Sequence, residues 1–203
     1  MLGVFVAVAV AAVPAGVFPV LAQVDAPTQW VEAGHVDALA CDPVWPDEVL
    51  VCFRVQEGKK RRFVTAADLT RWGVDVPGLR SVVTERAGAV LATQPLRKTV
   101  EGTEQVYYAA AEGDGWSAAT LLAPNVVGAR LGAPFLVVAP ADGVVLVWLP
   151  GDKDLDKILA VGAKEMFTAA AWPVSAVVHQ WDGQHFTSFV EAVPSPAPPP
   201  APK

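Results

Sequence analysis

The chain has 203 residues and a formal net charge of −6, with 53% hydrophobic and 18% charged residues. The acidic balance argues against a protein whose main partner is nucleic acid, because such proteins approach phosphates with an excess of Lys and Arg. The length suits a single domain that buries most of its apolar surface.

Residues 1–22 form an uncharged segment rich in Val, Ala, Leu and Phe. This composition is typical of a signal peptide, and prolines and a glycine interrupt it before it reaches the roughly 20 residues needed to cross a bilayer. The motif VLA at residues 20–22 predicts cleavage after Ala22, so we expect an exported protein, periplasmic or secreted. Because no Lys or Arg precedes the apolar run, a misassigned start and an uncleaved membrane anchor remain as alternatives.

Residues 23–48 lack a clear periodicity and are expected to form an irregular N-terminal segment attached to the domain at Cys41. Cys41 and Cys52 are the only two cysteines, and in an exported chain such a pair predicts a disulfide. Closing this short loop would stabilise the fold by about 3 kcal/mol in the chain-entropy model. Two free buried thiols or half of a metal site are the alternatives, but the second lacks a C-x-x-C pair or histidines at ligand spacing.

An α+β domain is expected over residues 49–192. Alternating β-branched and aromatic residues at 49–55 and a returning run at 61–64 predict a hairpin. Thr65 then caps a helix of about two turns, which Gly73 ends.

The remaining predicted elements follow at short intervals. They are a helix starting at Pro77, a strand at 105–110, a short helix capped by Ser117 and broken at Pro124, strands at 135–139 and 144–149, a helix at 152–170, and strands at 177–181 and 184–190. The apolar stripe of the helix at 152–170 consists of Leu155, Ile158, Leu159, Gly162 and Met166. Asp182 and Gly183 predict a two-residue hairpin turn.

Together these elements predict one α+β domain, with a mostly antiparallel or mixed sheet and two main amphipathic helices packed on it. The strands at 135–139 and 144–149 are apolar throughout, so they should be central and buried on both faces. Residues 193–203 are rich in proline and contain no core-forming residue, which predicts an extended, disordered tail.

Several short segments of the domain occur in a distinctive order. They are FVTAADL at 63–69, WG at 72–73, GDG at 113–115, AATLL at 118–122, GAPFLVVAP at 132–140 and WDG at 181–183. In this order they resemble the YtpQ-like family of uncharacterised bacterial proteins over residues 62–189. The resemblance implies an α+β fold, and it brings no established activity, cofactor or catalytic residue. The predicted signal peptide, disulfide and proline-rich tail set this chain apart from that family, whose usual members look cytosolic.

The most suggestive reactive group is Ser117, in the sequence GWSAA at 115–119. It lies one residue away from the G-x-S-x-G elbow of hydrolases, and the order Ser117, Asp142, then His179 or His185 matches a hydrolase triad. However, the preceding loop is longer and richer in glycine than a tight elbow, and a serine at a helix N-cap is common for capping alone. Capping is therefore the expected role of Ser117, with catalysis as the alternative.

A metal pair formed by His179 and His185 is not expected. With a two-residue turn, His179 would pair with Phe186 and Gln180 with His185, so the two imidazoles would point to opposite faces of the ribbon. His35 is far away in sequence, and no further ligand completes a metal set. No nucleotide or cofactor motif is recognisable either.

Two surface features could contact a ligand. The basic run KKRR at 59–62 could touch phosphate, anionic lipid or a wall polymer, although such runs more often form a solvated turn that protects an edge strand. The aromatic residues offer stacking surfaces for a sugar or a protein, although most are expected in the core. They include Trp30, Trp45, Trp116, Trp148, Trp172, Trp181, Tyr107 and Tyr108.

The sequence thus favours a non-catalytic binding or interaction module of the cell envelope, with an unknown protein or cell-wall ligand as its partner. One alternative is a small serine hydrolase that uses Ser117. Another is a structural envelope factor whose proline-rich tail, in polyproline II form, spans a gap or docks on an aromatic groove.

Overall fold

The computed structural model describes residues 13–27, 39–93, 97–98, 106–108 and 116–189. The elements in these ranges are β1 (Val17–Gln23), β2 (Cys41–Trp45), β3 (Val49–Glu57), β4 (Lys60–Phe63), α1 (Ala66–Trp72), α2 (Val76–Thr93), β5 (Arg97–Lys98), β6 (Val106–Tyr108), α3 (Ala119–Leu122), α4 (Pro124–Leu131), β7 (Phe135–Ala141), β8 (Val144–Trp148), α5 (Lys153–Ala169), β9 (His179–Trp181) and β10 (Phe186–Ser188). They confirm the α+β class. The predicted tail at 193–203 and the turn at 112–115 lie outside the described residues.

The first sheet has the strand order β1-β3-β2, and β4 also pairs with β3. The hairpin of β3 and β4 confirms the prediction from alternation. In contrast, the predicted domain start at residue 49 is too late, because β1 and β2 both pair antiparallel with β3. Residues 23–48 are therefore not wholly irregular, since they supply β2 and the last residue of β1.

β1 is an integral strand of this sheet. It pairs with β3 from Val17 opposite Val55 to Gln23 opposite Val49, and every β1 residue before Gln23 is buried. Cleavage after Ala22 remains a prediction, but the peptide bond it would cut lies inside β1.

The second sheet has the order β10-β9-β7-β8-β6-β5, and its paired strands are antiparallel. The structure thus has two sheets where the sequence predicted one. β7 and β8 lie in the middle of the second sheet and are buried on both faces, as their continuous hydrophobicity predicts.

The main core lies where the inner faces of both sheets meet α2. Phe53 of β3 and Val137 of β7 belong to the same buried cluster. The residues of α2 in this cluster recur at every fourth position, as a single helix face requires. They are Leu79, Val83, Ala87 and Leu91.

α5 packs on the outer face of the second sheet, but its buried stripe differs from the predicted one. Leu155 and Leu159 are buried as expected, whereas Ile158 and Met166 are 64% and 44% exposed. Asp156 is buried in their place because its carboxylate accepts a hydrogen bond from the indole Nε1 of Trp148 at 2.8 Å. The buried face of α5 is therefore set partly by this polar contact, which the hydrophobicity pattern of the sequence does not reveal.

Helix ends account for three further outcomes. Thr65 and Gly73 flank α1 as predicted, with Gly73 at φ 67° in the left-handed region. Ser117 is not the N-cap of α3, because that position belongs to Ala118. Pro124 does not only end a helix, since it also begins α4, where a residue without a backbone N–H is tolerated.

The final hairpin uses a longer loop than the two-residue turn predicted. Trp181 pairs with Phe186 and His179 with Ser188, which leaves a loop of residues 182–185. The Asp182 carboxylate accepts hydrogen bonds from the backbone N–H groups of Gln184 and His185, each at 2.7 Å. This local side-chain turn opens the loop by two residues.

Candidate functional site

The disulfide between Cys41 and Cys52 is present, as predicted. The two residues lie directly opposite each other on β2 and β3. The bridge therefore fastens the segment before residue 49 to the centre of the first sheet.

The candidate triad residues lie in separate environments. Ser117 is only 3% exposed, Asp142 forms an ion pair with Arg54, and His179 contacts Glu48. Within the described residues, no hydrogen bond or ion pair joins Ser117 to Asp142 or to His179. Among the contacts of the described residues, none pairs Ser117 with a general base.

A different serine, carboxylate and histidine do meet, at the junction between the two sheets. Ser175 donates its hydroxyl hydrogen bond to Oε1 of Glu48, and Oε2 of Glu48 lies 3.1 Å from Nε2 of His179. The indole of Trp45 stacks on the His179 ring, with centroids 3.8 Å apart. These four residues, the junction cluster, link the β2–β3 turn to the chain that leads into β9.

The junction cluster has the wrong order of contacts for acyl transfer. In a hydrolase the histidine lies between serine and carboxylate, whereas here Glu48 lies between Ser175 and His179. Ser175 is buried, and its Oγ also accepts a hydrogen bond from the N–H of Val177 at 2.9 Å. The hydroxyl is thus committed to structure, and the cluster holds the two sheets together.

The junction cluster should make stability depend on pH near neutrality. Burial lowers the pKa of His179, and this effect outweighs the opposing attraction of Glu48. The folded protein then binds fewer protons than the unfolded chain, whose histidine pKa is about 6.5, so the free energy of unfolding falls as pH drops below about 6.5 until the folded-state pKa is reached.

We expect His179 to account for a loss of at most about 1.4 kcal/mol between pH 7.5 and 5.5. Denaturant titrations at both pH values measure it, and His179→Gln should show a smaller loss over that interval. An equal loss in both proteins would contradict the assignment.

A small cavity is lined by Arg54, Asp142 and Trp172 together with residues 20–23 of β1. A shallow depression adjoins it and includes Val24 and Val177. Val24, Trp172 and Val177 are three of the six large apolar side chains that are exposed among the described residues. The cavity and the depression together are called the junction face.

The basic run at 59–62 is partly engaged within the protein. The Arg62 guanidinium contacts the carboxylates of Glu57 and Asp68, and Nε of Arg61 donates to Oε1 of Gln56 at 2.9 Å. Half of the run therefore supports the β3–β4 hairpin, which favours its structural interpretation over phosphate binding.

Sequence reasoning did not single out Glu48, Arg54 or Ser175. Glu48 and Ser175 are 127 positions apart, and neither lies in a motif that signals the contact. Among the described residues, no group of three or more His, Cys, Asp or Glu side chains is placed to hold a metal ion. The helices of the described ranges include none long and apolar enough to cross a membrane.

Comparison with known proteins does not assign the chain to a family. No family model, curated protein or solved structure matches the chain. The resemblance to the YtpQ-like family therefore stays a prediction, and the geometry of the junction face is the main indication of function.

Proposed function

We propose that this protein is an exported, non-catalytic binding module of the cell envelope and that it binds its partner through the junction face. The observation that carries the proposal is that three exposed apolar side chains, Val24, Trp172 and Val177, lie on the junction face, whose cavity also contains charged groups. Such a combination is typical of binding sites, where apolar contact area supplies affinity and a few polar groups supply orientation.

Export is supported by the disulfide between Cys41 and Cys52. Disulfides persist in oxidising compartments and are rare in the cytosol, where thiols are kept reduced. Residues 1–12, which precede β1, are also uncharged and apolar, as an export signal or an uncleaved anchor requires.

The junction face is also held rigidly, which favours binding. The segment after α5 pairs with β7, because the N–H of Val174 donates to the carbonyl of Pro140 at 3.1 Å and the N–H of Ser175 to that of Ala139 at 2.8 Å. A preformed surface loses little conformational entropy when it binds a partner.

Capture from cells tests the proposal. The full chain, tagged at its C-terminus, is cross-linked in the envelope and purified, and the recovered proteins and wall fragments are identified. We expect a reproducible partner with wild type and with Ile158→Ser, an exposed position on α5, and at most about one-tenth of that recovery with Val177→Asp.

Equal recovery with Val177→Asp would place the binding surface elsewhere. A capture with no partner, in samples where the folded protein is present, would contradict the binding function itself.

A further inference from the structure

The cavity of the junction face has the size and composition of a site for one small polar ring. Its volume is about 190 Å³, below the roughly 300–1,000 Å³ of sites for drug-sized ligands. It lies between the two sheets, with β1 and Arg54 of β3 on one side and Asp142 and Trp172 on the other.

The charged pair in this cavity attracts without forming a hydrogen bond. Nη1 of Arg54 lies 3.7 Å from Oδ2 of Asp142, and the two side chains are 28% and 25% exposed. That separation exceeds the usual 2.7–3.2 Å of an N–H···O hydrogen bond. The carboxylate can therefore accept a hydrogen bond from a guest, and the guanidinium can donate one to it, while the two groups stay close to each other.

Both charged groups are also held in place by contacts other than their attraction to each other. The Arg54 guanidinium lies over the Phe63 ring, 4.4 Å from its centroid. The Asp142 carboxylate accepts backbone hydrogen bonds from Leu21 and Gly143, and burial raises the pKa of Asp142. A buried carboxylate of this kind gains from hydroxyl donors, because they replace the water that it has lost.

Trp172 supplies an aromatic surface next to this pair. Its side chain is 59% exposed, and its carbonyl accepts a hydrogen bond from the N–H of Asp142 at 3.0 Å. The next residue, Pro173, forms a bridge with Ala141 of β7. The backbone that carries the indole is therefore fixed relative to Asp142.

We propose that this cavity binds one pyranose ring of an envelope glycan, with the indole of Trp172 against the apolar face of the ring and Asp142 and Arg54 hydrogen-bonded to its hydroxyl groups. The inference rests on the proposed function, since it names the ligand of the same junction face. A pyranose presents a C–H face to an aromatic ring, and its hydroxyls both donate to a carboxylate and accept from a guanidinium.

Other small ligands suit the cavity less well. A phosphate would meet the negative charge of Asp142, and an amine would meet the positive charge of Arg54. A wholly apolar guest would shield both charges from water without adding a hydrogen bond to either, which is costly. A neutral ring with many hydroxyl groups avoids each of these penalties.

Calorimetric titration of the purified full chain tests the inference. The probes are three soluble oligosaccharides: chitobiose, isomaltose and the disaccharide of N-acetylglucosamine and N-acetylmuramic acid. We expect saturable binding of at least one probe, weakened about tenfold by Trp172→Ala and by Asp142→Asn. Trp172→Phe should retain most of the affinity because it keeps an aromatic face, and Ile158→Ala should bind as wild type does.

Circular dichroism of each variant separates lost binding from lost folding. Absence of saturable binding for all three probes, or equal affinity in wild type and folded Trp172→Ala, would overturn the sugar assignment. If the probes fail while capture still depends on Val177, the binding module stands with a different ligand. If no probe binds and the capture recovers no partner, the proposed function fails as well.

Discussion

A chain that begins at Gln23 is expected not to reach the native fold. It lacks all of β1 except its last residue. The large apolar side chains of β1 that it loses are Val17, Phe18, Val20 and Leu21, all of them buried. At about 1.5–3 kcal/mol for each buried side chain, the loss is comparable with the whole stability of a typical domain, about 5–15 kcal/mol.

The segment before β1 is fastened as well. The Arg86 guanidinium of α2 donates hydrogen bonds to the carbonyl oxygens of Val13 and Pro14, each at 2.7 Å. Removal of residues 1–22 would leave the partly buried Arg86 guanidinium without these two acceptors. It would also turn β3 into a strand with one unpaired edge, which favours aggregation.

Two truncations measure this effect. The chain starting at Gln23 should be insoluble or show no cooperative thermal transition, whereas the chain starting at Val13 keeps every described contact of β1 and should melt cooperatively. A folded protein that starts at Gln23, with a melting temperature close to that of the longer chain, would contradict the role of β1.

The burial of β1 also predicts how the chain is processed in the cell. Mass spectrometry of the native protein isolated from cells should recover peptides that contain residues 13–22. An N-terminal peptide that starts at Gln23 in folded native protein would instead confirm cleavage after Ala22, and would show that the domain folds without β1.

The N-terminal segment shows why composition alone is ambiguous here. A signal peptide and a strand buried on both faces both require an uncharged apolar run. Residues 17–22 satisfy both requirements, and their pairing partner β3 begins 26 positions after Gln23, at Val49. Only the long-range pairing distinguishes the two, and no local pattern encodes it.

Local sequence patterns predicted where helices and strands lie better than they predicted which of these elements pack against each other. Turn and capping residues such as Thr65 and Gly73 act within a few positions, so α1 and the β3–β4 hairpin were found correctly. The face of α5 depended instead on Trp148, whose indole selects Asp156 for the interior. Hydrophobic periodicity cannot predict that Asp156 is buried, because it counts every aspartate as a surface residue.

The junction face could not be predicted from the sequence either, because it is formed by contacts between residues far apart in the chain. Arg54 lies in a strand and Asp142 in a turn, and each looks like an ordinary solvated charge when read locally. They become neighbours because the two sheets meet at β1 and at the segment after α5. Of the residues proposed to bind a ligand there, Trp172 was named from sequence only as one of several stacking surfaces, and Asp142 only as the carboxylate of a possible triad.

The disulfide is expected to contribute about 3 kcal/mol to the free energy of unfolding. The cysteines are 11 positions apart, and a cross-link that closes a loop of this length removes conformational freedom mainly from the unfolded chain. The double variant Cys41→Ala with Cys52→Ala should therefore unfold at lower denaturant concentration, with nearly the same dependence on denaturant.

Reduced wild type is the matched control, because it breaks the cross-link and keeps both sulfur atoms. Cys52 is fully buried beside Phe18 and Val20, so its replacement by alanine also removes packing contacts. We expect reduced wild type to lose most of the 3 kcal/mol and the double variant to lose somewhat more. If reduced and oxidised wild type unfold at the same denaturant concentration, the bridge does not stabilise the fold, and the disulfide loses its value as evidence that the protein was shaped for an oxidising compartment.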